Sequence, residues 1–258
     1  MLEAKAVTVR LGGREVVRGI DMAARGGRIC AIVGPNGSGK TTLLRALTGE
    51  LGYGGSITLN GAEVARAKPW ALAQMRAVLA QETSVAFPFT VAEVVALGLS
   101  GPAAGPEPGR VAQALGMVGL PAHGGRDYAS LSGGERQRVQ LARALVQVWA
   151  PVGADGPHWL FLDEPVSSLD LGHQLMVMRL ARRFADAGGG VVAVMHDLNL
   201  TAMFADRVVL LAGGQVLAEG RPEAVLTDDR LGAAYGCAVR VNTAPASGAW
   251  LLPQAVAG

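Results

Sequence analysis

The sequence predicts an α/β fold built on a parallel sheet, and three observations carry that expectation. Short β-rich runs alternate with longer runs of helical periodicity, the pattern of a layered α/β core. Ile29–Val33 and Val191–Met195 are apolar throughout, as strands covered on both faces must be. A glycine-rich loop follows the first of these strands and opens a helix.

The elements follow in order. Ala6–Leu11 and Ile29–Val33 read as strands, Lys40–Thr48 as a helix, and Ser56–Leu59 as a strand closed by the turn pair Asn60-Gly61. Ala77–Ala80 is a further short strand. From Thr83 to Ser130 the texture turns helical. Val91, Val94, Val95 and Leu97 recur at helical spacing behind the cap Thr90, with Glu93 at the third helical position. Ser100–Gly109 is a Gly/Pro/Ala loop, and Val111–Val118 a second short helix. The core resumes with a helix over Gly134–Val148, a buried strand at Leu160–Leu162, a helix over Gly172–Ala187 and the strand Val191–Met195. Arg207–Leu211 and Gln215–Glu219 flank Gly213-Gly214 as a hairpin. Past Thr243 no element is assigned. The chain therefore reads as one domain over 1–258, its core formed by 1–82 and 131–258 and interrupted by a helical insertion over 83–130.

Composition excludes several classes. A chain of 258 residues, half of them hydrophobic, is long and apolar enough to bury a core without staples, and is not a disordered chain. The balance of 23 Lys+Arg against 21 Asp+Glu gives a net charge of +2, too little for a general nucleic-acid-binding field, so no nucleic-acid partner is expected. Cys30 and Cys237 lack CxxC spacing, and Cys30, inside an apolar run, reads as a small core residue. Met1-Leu-Glu-Ala-Lys5 places charges where a signal peptide needs an apolar stretch. No apolar run approaches the length of a membrane span. The expectation is a soluble protein whose membrane link comes through a partner.

The chemistry begins at Gly34-Pro35-Asn36-Gly37-Ser38-Gly39-Lys40-Thr41, followed by Thr42, which fits G-x-x-x-x-G-K-[ST] between a buried strand and a helix. Glycines let the backbone wrap a polyphosphate closely, and N–H groups at a helix N-terminus point at the anion. Lys40 supplies a point charge to the β- and γ-phosphates, and the Thr41 hydroxyl a ligand to Mg²⁺. Asp163 and Glu164 end an apolar strand, where open α/β sheets place ligands. Asp163 suits the metal, and Glu164 suits the general base for an attacking water. Together these features point to nucleoside triphosphate hydrolysis.

Leu131-Ser132-Gly133-Gly134-Glu135-Arg136-Gln137 separates the families that share such a loop. On this string the chain resembles an ABC-type ATPase, and the resemblance runs over nearly the whole sequence. Gln81 matches the Q-loop, Ser167-Ser168-Leu169-Asp170 the D-loop, and His196 the H-loop. The resemblance implies a P-loop ABC ATPase core with a parallel sheet, an N-terminal antiparallel β region and a helical insertion. It implies ATP and Mg²⁺, and a head-to-tail homodimer in which Ser132, Gly133, Gly134 and Asp170 address the nucleotide of the opposite subunit. Gln81 would sense the γ-phosphate and Mg²⁺, linking insertion to core, while His196 would orient the attacking water with Glu164. One departure stands out: family members often carry an adenine-stacking aromatic after the first strand, whereas Leu11-Gly12-Gly13-Arg14 has none. That leaves Leu11 or Arg14 as a weaker platform.

A lone ATPase of this kind resembles the subunit that serves two transmembrane permease subunits from the cytoplasmic face of the inner membrane, supplied indirectly by a periplasmic or extracellular binding protein. The segments from Ala86 to Val95, from Pro222 to Leu226 and from Ala234 to Gly236 resemble importers of ferric siderophores, cobalamin and haem. The stretch from Val148 to Trp159 lengthens the path from Arg143 to Asp163, and with the run from Ser168 to Gln174 it resembles the haem (hemin) importers. Haem import is the expected role, with siderophore or cobalamin import as the alternative. His158 and His173 read as surface or packing residues rather than haem ligands. Two alternatives of another class remain: a soluble non-transport ABC ATPase, which usually shows a long coiled coil or tandem cassettes, and a P-loop kinase or GTPase, the latter with an N/T-K-x-D element; the sequence shows none of these features.

Overall fold

The structure is a computed structural model that describes residues 1–81, 88–100, 109–249 and 253–255. Most of the expected 100–109 loop, and the entry to the insertion at 83–87, lie outside the described residues. The chain opens with β1 (Leu2–Leu11), β2 (Arg14–Ala24), β3 (Ile29–Val33), α1 (Lys40–Leu47), β4 (Gly54–Leu59) and β5 (Ala62–Glu63). It continues through α2 (Pro69–Met75), β6 (Arg76–Leu79), α3 (Val91–Ala96) and α4 (Arg110–Met117). Then come α5 (Gly133–Gln147), β7 (Val152–Gly153), β8 (Gly156–Pro157), β9 (Trp159–Asp163), α6 (Leu171–Asp186), β10 (Gly190–Val194) and α7 (Leu198–Phe204). β11 (Arg207–Ala212), β12 (Gln215–Gly220), α8 (Pro222–Val225) and α9 (Asp228–Tyr235) complete the core.

Two sheets form. A four-stranded antiparallel sheet runs β2-β1-β4-β5, and a six-stranded sheet runs β12-β11-β3-β10-β9-β6, parallel except for β12. The apolar run of each central strand divides by the period-2 alternation of a pleat. Cys30, Ile32, Phe161, Val192, Val194 and Val209 join the cluster shared with α1 and the antiparallel sheet. Ile29, Ala31, Val33, Leu160, Leu162, Val191 and Ala193 join the cluster shared with α5 and α6. Burying each of the Val, Ile, Leu and Phe side chains stabilises the fold by about 1.5–3 kcal/mol, so the doubly covered strands anchor the molecule. At the start of β10, Gly190 admits the Trp159 ring, whose nearest carbon lies 2.4 Å from where a Cβ would stand.

The register positions the site. Val194 pairs with Ile32 on one side and Asp163 on the other. The loop after β3, the acids ending β9 and His196 beyond β10 therefore share the carboxyl edge of one sheet.

The expected strands and helices are present, most within a few residues of their predicted ends. β1 is longer, beginning at Leu2. Sequence reasoning did not anticipate β2, whose polar and small residues hide its pattern, nor α2, α7, α8 and α9. It also missed the small β7–β8 hairpin inside the added stretch after Val148.

Candidate nucleotide site

The loop from Gly34 to Thr41 is built by steric exclusion. A Cβ on Gly34 (φ 149°) would fall 2.1 Å from the Leu211 carbonyl oxygen, and one on Gly39 (φ 97°) 3.0 Å from that of Val16. Only glycine lets the backbone turn here against β11 and β2. Asn36 and Gly37 lie exposed at the tip, with Pro35 half-buried. Gly39 is the N-cap residue of α1 and offers no side-chain cap, so the N–H groups of the first turn, through Lys40, Thr41 and Thr42, are left for an anion. Beside them the Ser38 hydroxyl is buried with no partner among the described residues. An uncapped turn and an orphaned hydroxyl are what a phosphate would satisfy.

Lys40 is buried, and its Nζ donates to the carbonyls of Gly34 at 2.9 Å and Pro35 at 3.1 Å. Burial lowers its pKa, against the opposing pull of Glu164 and Asp163. The Thr41 hydroxyl donates to Asp163 Oδ1 at 3.0 Å. Desolvation raises the Asp163 carboxyl above its ordinary range, and the Glu164 charge adds to this, while Thr41 and Lys40 pull it down. Thr41, Asp163 and Gln81 line one cavity. Among the described residues no cluster of three His, Cys, Asp or Glu side chains is present. The site offers a few hard oxygen donors and leaves the remaining ligands to phosphate and water, which suits a small hard cation.

Glu164 sits directly after β9 with φ 50°, a left-handed conformation rare for such a residue. Its carboxylate is gripped from two sides: His196 Nε2 stands 2.6 Å from Oε1, and Gln81 Nε2 donates to Oε2 at 3.0 Å. Three residues separated widely in sequence thus meet at one carboxylate. Its backbone carbonyl accepts a hydrogen bond from Gln137 Nε2 at 2.9 Å. That contact is one sequence reasoning missed; Gln137 lies inside the Ser-Gly-Gly string, yet nothing in the string signals where the side chain points.

The remaining expected residues lie elsewhere in the single chain. Ser132 caps α5 in a reciprocal box: its Oγ accepts from Glu135 N at 3.3 Å, and its own N donates to Glu135 Oε2 at 2.8 Å. The Ser132 backbone and hydroxyl hold the Glu135 carboxyl down at about 2, assisted by His123 and Arg126. Gly133 opens α5 exposed, and a Cβ on Gly134 would lie 3.1 Å from the Ser168 carbonyl. Asp170 caps α6, accepting from His173 N at 2.9 Å and pairing with His173 Nδ1 at 2.8 Å. Ser132 and Asp170 thus direct their side chains to helix caps and not to residues 34–42. His173 and His158, the latter bonded to the Ala150 carbonyl, have packing and capping partners. Leu11 ends β1 exposed beside the turn to β2, and none of residues 11–14 is aromatic.

Among the described residues no helix is long and apolar enough to cross a membrane. Residues 17–167 match the family model described as ABC transporter. The Hemin import ATP-binding protein HmuV of Jannaschia sp. (strain CCS1) is 59% identical over 98% of this chain and 94% of its own. Its counterpart in Roseobacter denitrificans is 56% identical over 98% of both chains. Among solved structures, an ATP-binding cassette of an ABC transporter superposes with a TM-score of 0.77 at 23% identity, over 91% of this chain and 98% of its own, and so shares the fold. A bacterial Atm1-family ABC exporter with ATP bound gives 0.74 at 26% identity, over 87% of this chain and 39% of its own. The glycine loop, the Asp163–Glu164 strand end and these matches lead to one conclusion: the chain belongs to the ABC transporter family.

Proposed function

We propose that the chain is the ATP-hydrolysing, energy-coupling subunit of an ABC importer for haem. The observation that carries the hydrolytic part is the meeting of Gln81 and His196 on the Glu164 carboxylate, beside the Thr41–Asp163 pair at the mouth of the glycine loop. The cargo rests on identities of 59% and 56%, over nearly the full chain, to proteins named for hemin import.

In this reading the loop N–H groups from Gly34 to Thr42 and the Lys40 ammonium bind the triphosphate of ATP, Lys40 leaving the Gly34 and Pro35 carbonyls to do so. Thr41, Asp163 and Gln81 would hold Mg²⁺, which would supply charge neutralisation on the phosphate oxygens. Glu164 takes the proton of the attacking water, and His196 fixes the direction in which that carboxylate faces. Ser132, Gly133, Gly134 and Asp170, at two helix N-termini away from the loop, act on the nucleotide of a second copy in a head-to-tail homodimer. The chain works as one unit over 1–258, with 83–130 as the insertion that faces two permease subunits at the cytoplasmic membrane face. A substrate-binding protein delivers cargo to the permease from the other side. ATP binding energy is then directed to a conformational equilibrium of the permease.

The test is ATPase stimulation of the assembled transporter by candidate binding proteins loaded with haem, ferric siderophore or cobalamin. Stimulation by the haem-loaded protein is expected. Stimulation by cobalamin with haem silent overturns the cargo assignment.

A further inference from the structure

We propose that Gln137 is a positioning residue for hydrolysis: its amide holds the backbone of Glu164 so that the carboxylate faces the attacking water. The inference rests on the reading of Glu164 as general base. Glu164 occupies a left-handed conformation at φ 50°, which a β-bearing residue keeps only where the surroundings over-determine it. The bonds that hold it are few. Its N–H donates to the Val194 carbonyl at 3.2 Å, which ties it to β10. Its carbonyl accepts from the Ser167 N–H at 3.4 Å and Ser167 Oγ at 3.2 Å, both within its own turn, and from Gln137 Nε2 at 2.9 Å. Of these, Gln137 alone reaches across from α5.

The amide is committed to this contact. A carbonyl oxygen only accepts, so the nitrogen of the amide must face it. Among the described residues, the other half, Gln137 Oε1, is buried with no hydrogen-bond partner. A polar side chain kept half-satisfied in a buried place carries a cost that packing alone would not call for, since leucine would fill the space without it. Among the described residues, the one side-chain hydrogen bond of Gln137 goes to the residue that carries the chemistry.

Its place on α5 gives the contact a second consequence. The same helix begins at Ser132 and packs Gly134 against the Ser168 carbonyl. A shift of α5 when a second copy engages Ser132 is therefore passed to the Glu164 peptide through a single hydrogen bond less than two helical turns away.

The test measures kcat, the KM for ATP and the melting temperature of the full chain assembled with its permease. The variants are Gln137→Glu, which keeps the shape but loses the donor, Gln137→Leu, which keeps the bulk, and Glu164→Gln. Both Gln137 variants should lower kcat ~10–100-fold, the size of a misplaced catalytic group, with KM close to wild type and, for Gln137→Leu, the melting temperature close to wild type as well. Added to Glu164→Gln, Gln137→Leu should lower the residual rate no further, because the two act through one group. Wild-type kcat in both Gln137 variants, a rise in KM alone, or a further fall in the double variant overturns the inference while Glu164 stands. Should Gln137→Leu fail to fold, Gln137→Glu decides alone. Turnover by Glu164→Gln removes the reading of Glu164 and this inference with it.

Discussion

The Thr41 hydroxyl donates a 3.0 Å hydrogen bond to the Asp163 carboxylate, joining two motifs 122 residues apart in sequence. The contact exists because the glycine loop leads the chain from the carboxyl end of β3 straight into α1, and β9 lies one strand beyond β10 in the same sheet. Two oxygens of different chemistry are thereby set side by side at the carboxyl edge, where a cation and a polyphosphate meet.

Thr41→Val removes one of those oxygens while keeping the β-branched shape. ATP affinity in the presence of Mg²⁺ should fall ~10–100-fold, as when a metal ligand or its support is lost. Affinity without Mg²⁺ should change little. Isothermal titration with and without the metal checks both.

Asp206 ties β11 to α6 and β3 by accepting from Arg182 at 2.7 Å, Arg28 at 2.9 Å and the Ile29 N–H at 2.8 Å. Partial burial pushes its carboxyl up, yet these bonds together outweigh it and hold the group below its ordinary range. Its stabilisation is therefore full above about pH 4 and lost as pH falls through the lower folded value. Asp206→Ala should cost about 1–2 kcal/mol at pH 7, the arginine contribution being screened by solvent. The gap in melting temperature from wild type should close as pH is lowered below about 4, as thermal melts across pH would record.

Asn60 is the hub of the opposite end of the sheet. Its Oδ1 accepts from the indole N–H of fully buried Trp159 at 3.0 Å, and its Nδ2 donates to the Pro157 carbonyl at 2.9 Å, all from a left-handed backbone at φ 51°. Asn60→Ala strands the indole and adds backbone strain, at a combined cost of about 2–4 kcal/mol. Asn60→Gly keeps only the first cost and should melt at a temperature between that of Asn60→Ala and wild type. Steady-state ATPase at 25 °C should survive both changes.

The nucleotide loop, the acids after β9 and the helix after Ser132 were legible because each is a local pattern whose chemistry lies in contiguous residues. β3 and β10 were legible for a related reason: a strand covered on both faces has no polar position to confuse it. β2 was not, because Arg14, Glu15, Arg18 and Asp21 face solvent and Gly19 breaks the alternation. The expected trio Gln81, Glu164 and His196 does converge, while the hydrogen bond from Gln137 to the Glu164 carbonyl was invisible. A side-chain contact to a backbone atom 27 residues away leaves no periodicity and no motif. Likewise Asn60 read as a turn residue, which it is, but its grip on Trp159 belongs to tertiary packing.

The central claim is that Glu164 is the group that activates water, and the most direct measurement is ATP hydrolysis by Glu164→Gln at saturating MgATP. The account predicts that ATP still binds and that turnover falls on the order of 10²–10⁴-fold, the contribution of a positioned general base. Turnover near the wild-type rate would contradict it.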